Sequence, residues 1–364
     1  MKIYNKIKEC RICKNRNLKI IIDLKSQYIQ GSFIKKNYTK PYSNKIPLKL
    51  VFCKKCFLVQ LLHTTNKEIL YKNYWYLSGI NQTMKTHLKK LVNLICAIKR
   101  KETKNIDVLD IGCNDGTLLN YFPKSINKYG IDPSQIIKKI DKKKITLIND
   151  FFPPKKENLR SLKIKFDLIT SIAMFYDVND PNLFVKNIKY YLKNKGIWVF
   201  ELSYLVDMLK LNSFDTICHE HLEYYSLQTL NYLMKKNGLK IFNLSRNSIN
   251  GGSIRCFVTH EKNSIYDKKQ NISKIKKLIK NEKKLKINSL YPYKKFYKNI
   301  LKIKFDLIQL ILSIKKQGKS IFVLGASTKG NTILQFLNLN NKIINYAVER
   351  NKQKIGAITI GSNI

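Results

Sequence analysis

No stretch of this 364-residue chain approaches the ~18–20 consecutive apolar residues that a membrane-crossing helix needs, so no span is expected. The amino terminus, MKIYNKIKEC, carries positive charge but no apolar segment before its first cysteine. That speaks against a signal peptide and for a cytoplasmic protein. Acidic residues are few: 24 Asp and Glu stand against 69 Lys and Arg, a formal net charge of +45. Such a charge raises nucleic acid or an anionic membrane surface as partners. The lysines are spread along the whole chain, however, and RGG repeats and aromatic–basic RNA signatures are absent. Lys, Asn and Ile are used heavily throughout, as in an AT-rich genome. The charge therefore reads as codon bias, with neither nucleic acid nor membrane expected as partner, although a positive surface would help capture an anionic nucleotide. Histidine is scarce as well, five in all. With 44% hydrophobic residues a packed core is expected, and the length corresponds to about two or three domains.

Eight cysteines are enough for four disulfides, but their grouping points elsewhere. Four form two CxxC pairs, Cys10 and Cys13 in CRIC and Cys53 and Cys56 in CKKC, and the rest are scattered. That suits a reduced compartment with one metal site. Each pair brings two thiolates to one side of a tight knuckle, and two knuckles close a tetrahedral site of the structural zinc kind, with no open position. A redox role is the competing reading, but no thioredoxin-like context surrounds either pair. A zinc-binding domain over residues 1–68 is expected.

Residues 105–200 alternate strand and helix patterns. DVLDIGCNDGTLLNYF reads as strand, glycine-containing turn and helix; KYGIDPS, ITLINDFF, FDLITSIAMFYDV and KGIWVFELSYL supply four more strands. The fold class is α/β, a doubly wound and mostly parallel sheet with ligands at the carboxyl ends of its strands. Gly251-Gly252 marks a hairpin between two further strands. This middle domain is expected over residues 69–262. Residues 265–318 are Lys-rich and helical in pattern, expected as solvated helices bridging domains. KSIFVLGASTKGNTILQFL and INYAVERN then begin a second Rossmann-like α/β unit of about two strands. Residues 263–364 are thus a helical linker and an incomplete C-terminal domain. Its apolar faces call for more chain or for docking onto the middle domain.

A dinucleotide-binding GxGxxG is missing after the first strand. The turn is instead Asp110-Ile111-Gly112-Cys113-Asn114-Asp115-Gly116. This D-x-G-x-x-x-G turn, with Asp132 ending the second strand, resembles the class I S-adenosylmethionine-dependent methyltransferases. The resemblance implies that Asp110, Gly112, Asn114 and Gly116 lie against the methionine and ribose of S-adenosylmethionine. It also implies that Asp132 bonds the ribose hydroxyls and that Asp150 lies near the adenine.

Two of the five histidines sit in FDTICHEHLEYYSL. That stretch, the double CxxC, the methyltransferase turn, NGGSIR and GASTKGNT, in that order, resemble the nucleotide-sugar C-methyltransferase family, whose sugar C-3 members act on deoxyketosugars. The likeness runs from about residue 8 to residue 364. It implies a zinc domain, a cofactor domain and a C-terminal domain that helps hold a nucleotide sugar. It makes His221 the base, with Glu220 orienting it or sharing its proton, His219 beside them in a structural role, and Tyr76 of YWYLS near the site. The chemistry agrees. Methylating carbon needs a carbanion, and a neighbouring ketone lets a base remove the proton as an enolate forms. Histidine, with an ordinary pKa of ~6.5, suits that work near neutrality.

GASTKGN is either only a turn or, with Gly325, Ser327, Lys329 and Asn331 at a helix start, a seat for the sugar's diphosphate. HEH is alternatively an inert hydrogen-bonded cluster or a metal site. As a strand it would point His219 and His221 to one face, able to chelate together, and Glu220 to the other. Two departures from the family's pattern stand out: Cys218 where some members have Tyr, and Ala173-Met174-Phe175-Tyr176-Asp177 where they have N-x-F-x-H. The methylated atom is therefore left open. Rival readings are O-methylation on the same fold, an RNA-binding protein or RNA methyltransferase, and a non-catalytic zinc scaffold. The oligomeric state is not written in the sequence.

Overall fold

The computed structural model describes residues 3–35, 44–71, 74–98, 106–141, 144–154 and 164–364. The chain divides into two compact units. One comprises Tyr71–Tyr204 and Ser226–Asn281; the other is assembled from Met1–Leu70, Leu205–Tyr225 and Glu282–Ile364.

The first unit is built on a seven-stranded sheet. Its spatial order is Leu239–Asn247, Ser253–His260, Leu192–Ser203, Phe166–Ile172, Asp107–Ile111, Asn127–Ile131 and Thr146–Ile148. The last five strands are parallel, and 253–260 runs antiparallel to both neighbours. The chain winds outward from 107–111 to 146–148 and then crosses to 166–172 on the other side. The carboxyl end of 107–111 is therefore the switch point at which such sheets hold ligands. The runs DVLDI and FDLITSI are apolar on consecutive residues because both faces of a parallel sheet are covered. Helix Gln82–Ile98 supplies Leu88, Leu91, Val92 and Ile95, one helical stripe, to the face that carries Val108, Leu168 and Val199. Strand alternation turns Trp198 and Phe200 the other way. There they meet Phe175, and Trp198 also meets Phe184, with ring centroids 4.7 to 6.0 Å apart. The expected hairpin forms between 239–247 and 253–260, with Gly251 and Gly252 both at positive φ.

The second unit holds a four-stranded antiparallel sheet in the order Glu223–Tyr224, Val59–Leu61, Ile46–Cys53 and Leu18–Gln27. Its core face, with Leu24, Leu48, Leu50 and Phe52, packs against Leu205 and Met208 of helix Leu205–Leu211 and against Phe336 of helix Thr328–Leu337. Strands Phe322–Leu324 and Tyr346–Val348 pair in parallel around helix 328–337 as a two-stranded Rossmann-like unit. The outer face of this pair is open: Leu324 is 90% exposed, with Phe322, Tyr346 and Val348 also exposed.

One expectation needs amending. The Lys-rich segment forms helices Lys269–Lys284 and Tyr291–Lys316, but the second is not simply solvated. Tyr293, Phe296 and Ile300, at i, i+3 and i+7, are buried in the core of this unit. Among the described residues no helix is long and apolar enough to cross a membrane.

Phe296→Ala should lower the stability of this unit by about 3–5 kcal/mol, as for a large aromatic removed from a packed core. Urea unfolding measures it. A loss under about 1 kcal/mol would show the helix to be dispensable to the core.

Candidate functional site

In the first unit, the turn after strand 107–111 passes through three left-handed positions, Gly112 (φ 73°), Asn114 (φ 51°) and Gly116 (φ 74°). The amides of Gly112 and Cys113 both donate to the Ile131 carbonyl, at 2.8 and 3.2 Å, folding the turn back over the second strand. A Cβ on Gly112 would stand 2.9 Å from Met174 Cγ, so this backbone is bare by necessity.

Asp132 is buried at the end of that second strand. Its Oδ2 accepts the Asn114 amide at 2.9 Å, and its Oδ1 accepts the amide and hydroxyl of Ser134 at 2.8 and 2.6 Å. A carboxylate has about four acceptor sites, so Asp132 retains capacity for a ligand's hydroxyl. Asn114 accepts the Ser78 amide at 3.0 Å and donates to the Tyr76 carbonyl at 3.0 Å; Asp115 accepts the Gly79 amide at 2.7 Å. The aromatic segment around Tyr76 is thus tied to the glycine turn, with Tyr76 45% exposed.

Asp150 is half-buried past the end of the third strand and accepts the Phe151 amide at 2.7 Å. Its neighbour Asn149, unmarked in the sequence, reaches the carbonyls of Asp132 and Ser134 at 2.8 and 3.0 Å. Asp110 is turned inward. Burial pushes its pKa up to about 7, and it accepts the Thr170 hydroxyl at 2.6 Å.

A buried charge cluster at the end of strand 192–203 has no signature in the sequence. Glu201 accepts from Arg255 Nε and Nη2 at 2.8 and 2.7 Å and from Asn247 at 3.0 Å, and meets His87 Nε2 at 2.6 Å. Burial opposes its ionisation, yet His87 and Arg255 hold its pKa below the usual carboxylate value.

In the second unit the four predicted cysteines come together. Cys10 and Cys56 sulfurs lie 3.5 Å apart, those of Cys13 and Cys53 3.4 Å, and all four lie within 4.8 Å of one another. Four thiolates at ~2.3 Å around a tetrahedral zinc ion are themselves ~3.8 Å apart, so the set fits that ion. The two knuckles repeat one geometry. Lys14 and Phe57, each following its CxxC, take positive φ and donate their amides to the Cys10 and Cys53 carbonyls.

The HEH stretch is not a strand. The His221 amide donates to the Cys218 carbonyl at 3.2 Å, closing a turn. The expectation that His219 and His221 would share a face against Glu220 therefore fails. Cys218, Glu220 and His221 bring their sulfur, carboxylate oxygen and ring nitrogen within 4.8 Å of one another, and His219 points away. His219 is fully buried, with Nδ1 2.9 Å from Gln30 Oε1 and Nε2 3.1 Å from the Ile46 carbonyl. Both ring nitrogens are occupied in tying the turn to the sheet.

His221 Nδ1 lies 2.8 Å from the Thr216 carbonyl, an acceptor only, so Nδ1 carries the proton and Nε2 is the basic nitrogen. Burial pushes the pKa of His221 down to about 4; the Thr216 bond opposes this and Lys329 adds to it. Burial pushes Glu220 up to about 7 against the pull of Lys354. The Glu220 carboxylate packs directly over Gly31, where a Cβ would collide with it.

The GASTKGN element joins this same unit around the turn. Thr332 donates to the Ile217 carbonyl at 3.3 Å, and Asn331 Nδ2 to the Gln30 carbonyl at 2.7 Å. Asn331 Oδ1 is buried with no hydrogen-bond partner among the described residues. Ser327 caps helix 328–337, accepting the Gly330 amide at 3.0 Å, and Gly325 takes φ 91°. Lys354 donates to the Ala326 carbonyl at 2.7 Å. Neither Gly31 nor Lys354 could be singled out beforehand, the lysine being one among 69 Lys and Arg.

Three family models match the chain in succession. They are a zinc binding domain over residues 10–71, a methyltransferase domain over 80–244 and the C-methyltransferase C-terminal domain over 248–364. Among curated proteins, the chain is similar to "C-methyltransferase NovU" of Streptomyces niveus, 25% identical over 370 aligned residues that span 100% of this chain and 86% of that protein. Among solved structures it is similar to an S-adenosylmethionine-dependent methyltransferase from Clostridium acetobutylicum ATCC 824, at 16% identity over 48% of this chain and 92% of that one, TM-score 0.40. It is also similar to magnesium protoporphyrin IX methyltransferase from Synechocystis PCC 6803, at 13% identity over 50% of this chain and 87% of that one, TM-score 0.38. With a zinc-binding domain whose four cysteines fit structural zinc, then a methyltransferase domain, then a last third that matches the C-methyltransferase C-terminal domain, the chain is an S-adenosylmethionine-dependent methyltransferase.

Proposed function

We infer that this enzyme methylates a carbon of a nucleotide-linked deoxyketosugar, with His221 as the base that forms the enolate. The observation that carries this reading is the His221 ring. Its Nδ1–H is fixed on the Thr216 carbonyl, which makes Nε2 the basic nitrogen, on a ring that lies within 4.8 Å of the Glu220 carboxylate. Glu220, once ionised, stabilises the imidazolium that results. Lys329 and Lys354 act on this pair through their charge, and a substrate's diphosphate or developing enolate oxygen would meet the same charge. Gly325, Ser327 and Asn331 shape the helix start that presents Lys329.

S-adenosylmethionine supplies the methyl group. The bare backbone at Gly112 and the fixed Asp132 carboxylate are what a nucleoside needs; Asn114 holds Tyr76 alongside, and Asp150 and Asn149 border the same end of the sheet. Asp110 and Gly116 shape the turn. His219 anchors the base's turn rather than moving protons. The four-thiolate cluster requires a compartment that keeps thiols reduced, which supports a cytoplasmic setting.

Mass spectrometry of sugars incubated in D₂O with S-adenosylmethionine tests the reaction. Wild type should add a methyl group and exchange deuterium at the carbon beside the ketone. His221→Asn should lower both by about 10²–10⁴-fold. Methyl gain without exchange would replace the enolate by O-methylation.

The pH profile is a second check. His221 is neutral above about 4 and Glu220 ionises at about 7, so kcat/KM should climb with pH through about 7. Glu220→Gln should erase that limb. A wild-type profile flat from pH 5 to 8 would remove Glu220 from the mechanism.

Asp132→Ala should weaken S-adenosylmethionine binding roughly 10–100-fold, the worth of one or two hydrogen bonds to a carboxylate. Calorimetric titration reads it, and an unchanged Kd would take the ribose contact away from Asp132.

A further inference from the structure

The second half of the HEH stretch, Leu222-Glu223-Tyr224-Tyr225, is wired to the zinc knuckles. Strand 223–224 is only two residues long. It pairs Glu223 with Gln60 and Tyr224 with Val59, and the Leu61 amide donates to the Leu222 carbonyl at 2.9 Å. Strand 59–61 is itself the chain leaving the second knuckle, one residue after Leu58, whose carbonyl accepts the Cys53 amide. A ladder this short holds little by itself.

The first knuckle supplies the rest. Arg11, between Cys10 and Cys13, is buried. Its Nη1 donates to Gln60 Oε1 at 3.2 Å and to the Leu61 carbonyl at 2.7 Å, and its Nη2 to Thr64 Oγ1 at 2.7 Å. Its backbone amide also donates to Gln60 Oε1, at 3.1 Å. Its Nε stands 3.5 Å from Glu223 Oε1, in an ion pair whose side chains are 3% and 0% exposed. A planar guanidinium can grip a strand and a carboxylate at once, which an ammonium cannot. One residue, Leu222, separates Glu223 from His221, and the His221 ring bonds the Thr216 carbonyl on the other side of the turn.

We propose that Arg11 and Glu223 are positioning residues for the base, so that the zinc knuckle sets the orientation of the His221 ring. The inference rests on the reading of His221 as base. The cysteines fix Arg11, Arg11 fixes Glu223, and Glu223 fixes the exit of the turn that aims Nε2. The zinc site then serves catalysis without touching substrate.

The test uses the full-length, zinc-loaded protein as Arg11→Gln, Arg11→Lys and Glu223→Gln, the last being isosteric and the least disruptive. Zinc content by elemental analysis and S-adenosylmethionine affinity by calorimetry establish that each variant is folded. The decisive readout is the ¹⁵N imidazole spectrum of His221, assigned by its absence in His221→Asn. Wild type should show the Nδ1–H tautomer. In Arg11→Gln and Glu223→Gln that tautomer should give way to a mixture. Turnover of a ketosugar should fall tenfold or more while the cofactor Kd stays within twofold, and Arg11→Lys should be intermediate. An intact tautomer with turnover within twofold of wild type, whatever the loss of melting temperature, would reduce the pair to scaffolding. Should wild type methylate no ketosugar, the proposed substrate fails there. The tautomer comparison still decides this inference on its own.

Discussion

The closing of residues 10–13 onto residues 53–56 by four sulfurs is the constraint from which the second unit is built. That unit comes from three separate stretches of chain, and much of its sheet is short: three residues in 59–61 and two in 223–224. Strands of that length cannot choose their own register. Metal ligation supplies the missing information, because free energy of binding is free energy of folding in a small metal-bound domain. Once the knuckles are fixed, strand 59–61 and the side chain of Arg11 have defined places. The turn carrying Cys218, Glu220 and His221 is laid down against them.

The first unit shows what a sequence states openly. Strand, glycine turn, helix and an acid at the next strand's end form a local grammar, and each step is readable within about fifteen residues. Gly112 and Gly116 both take positive φ in that turn, and five strands run parallel, as the alternation of strand and helix predicts. The two CxxC pairs were equally plain, since ligand spacing leaves few alternatives to one closed site.

Other features depended on partners far away in sequence. HEHLEYY has the composition of an extended segment. It turns because Gln30 and Ile46 seize the ring of His219, and nothing within the segment announces either of them. Arg11 and Lys354 are undistinguished members of a basic chain, so no count of charge could separate them from the solvated majority. Tyr293, Phe296 and Ile300 did carry a helical apolar spacing, but the lysines around them masked it. Glu201 looked like the end of an ordinary strand until His87, Asn247 and Arg255 converged on it.

Gly31 carries a consequence for how variation in this protein should be read. It lies in a loop with no chemistry of its own, where replacement by a small residue would ordinarily pass unnoticed. Yet the space above its Cα is filled by the carboxylate of Glu220. Even alanine would have to push that buried group aside. On the proposed role of Glu220, a natural variant at Gly31 would impair activity from a position that contributes no functional group, by displacing that carboxylate.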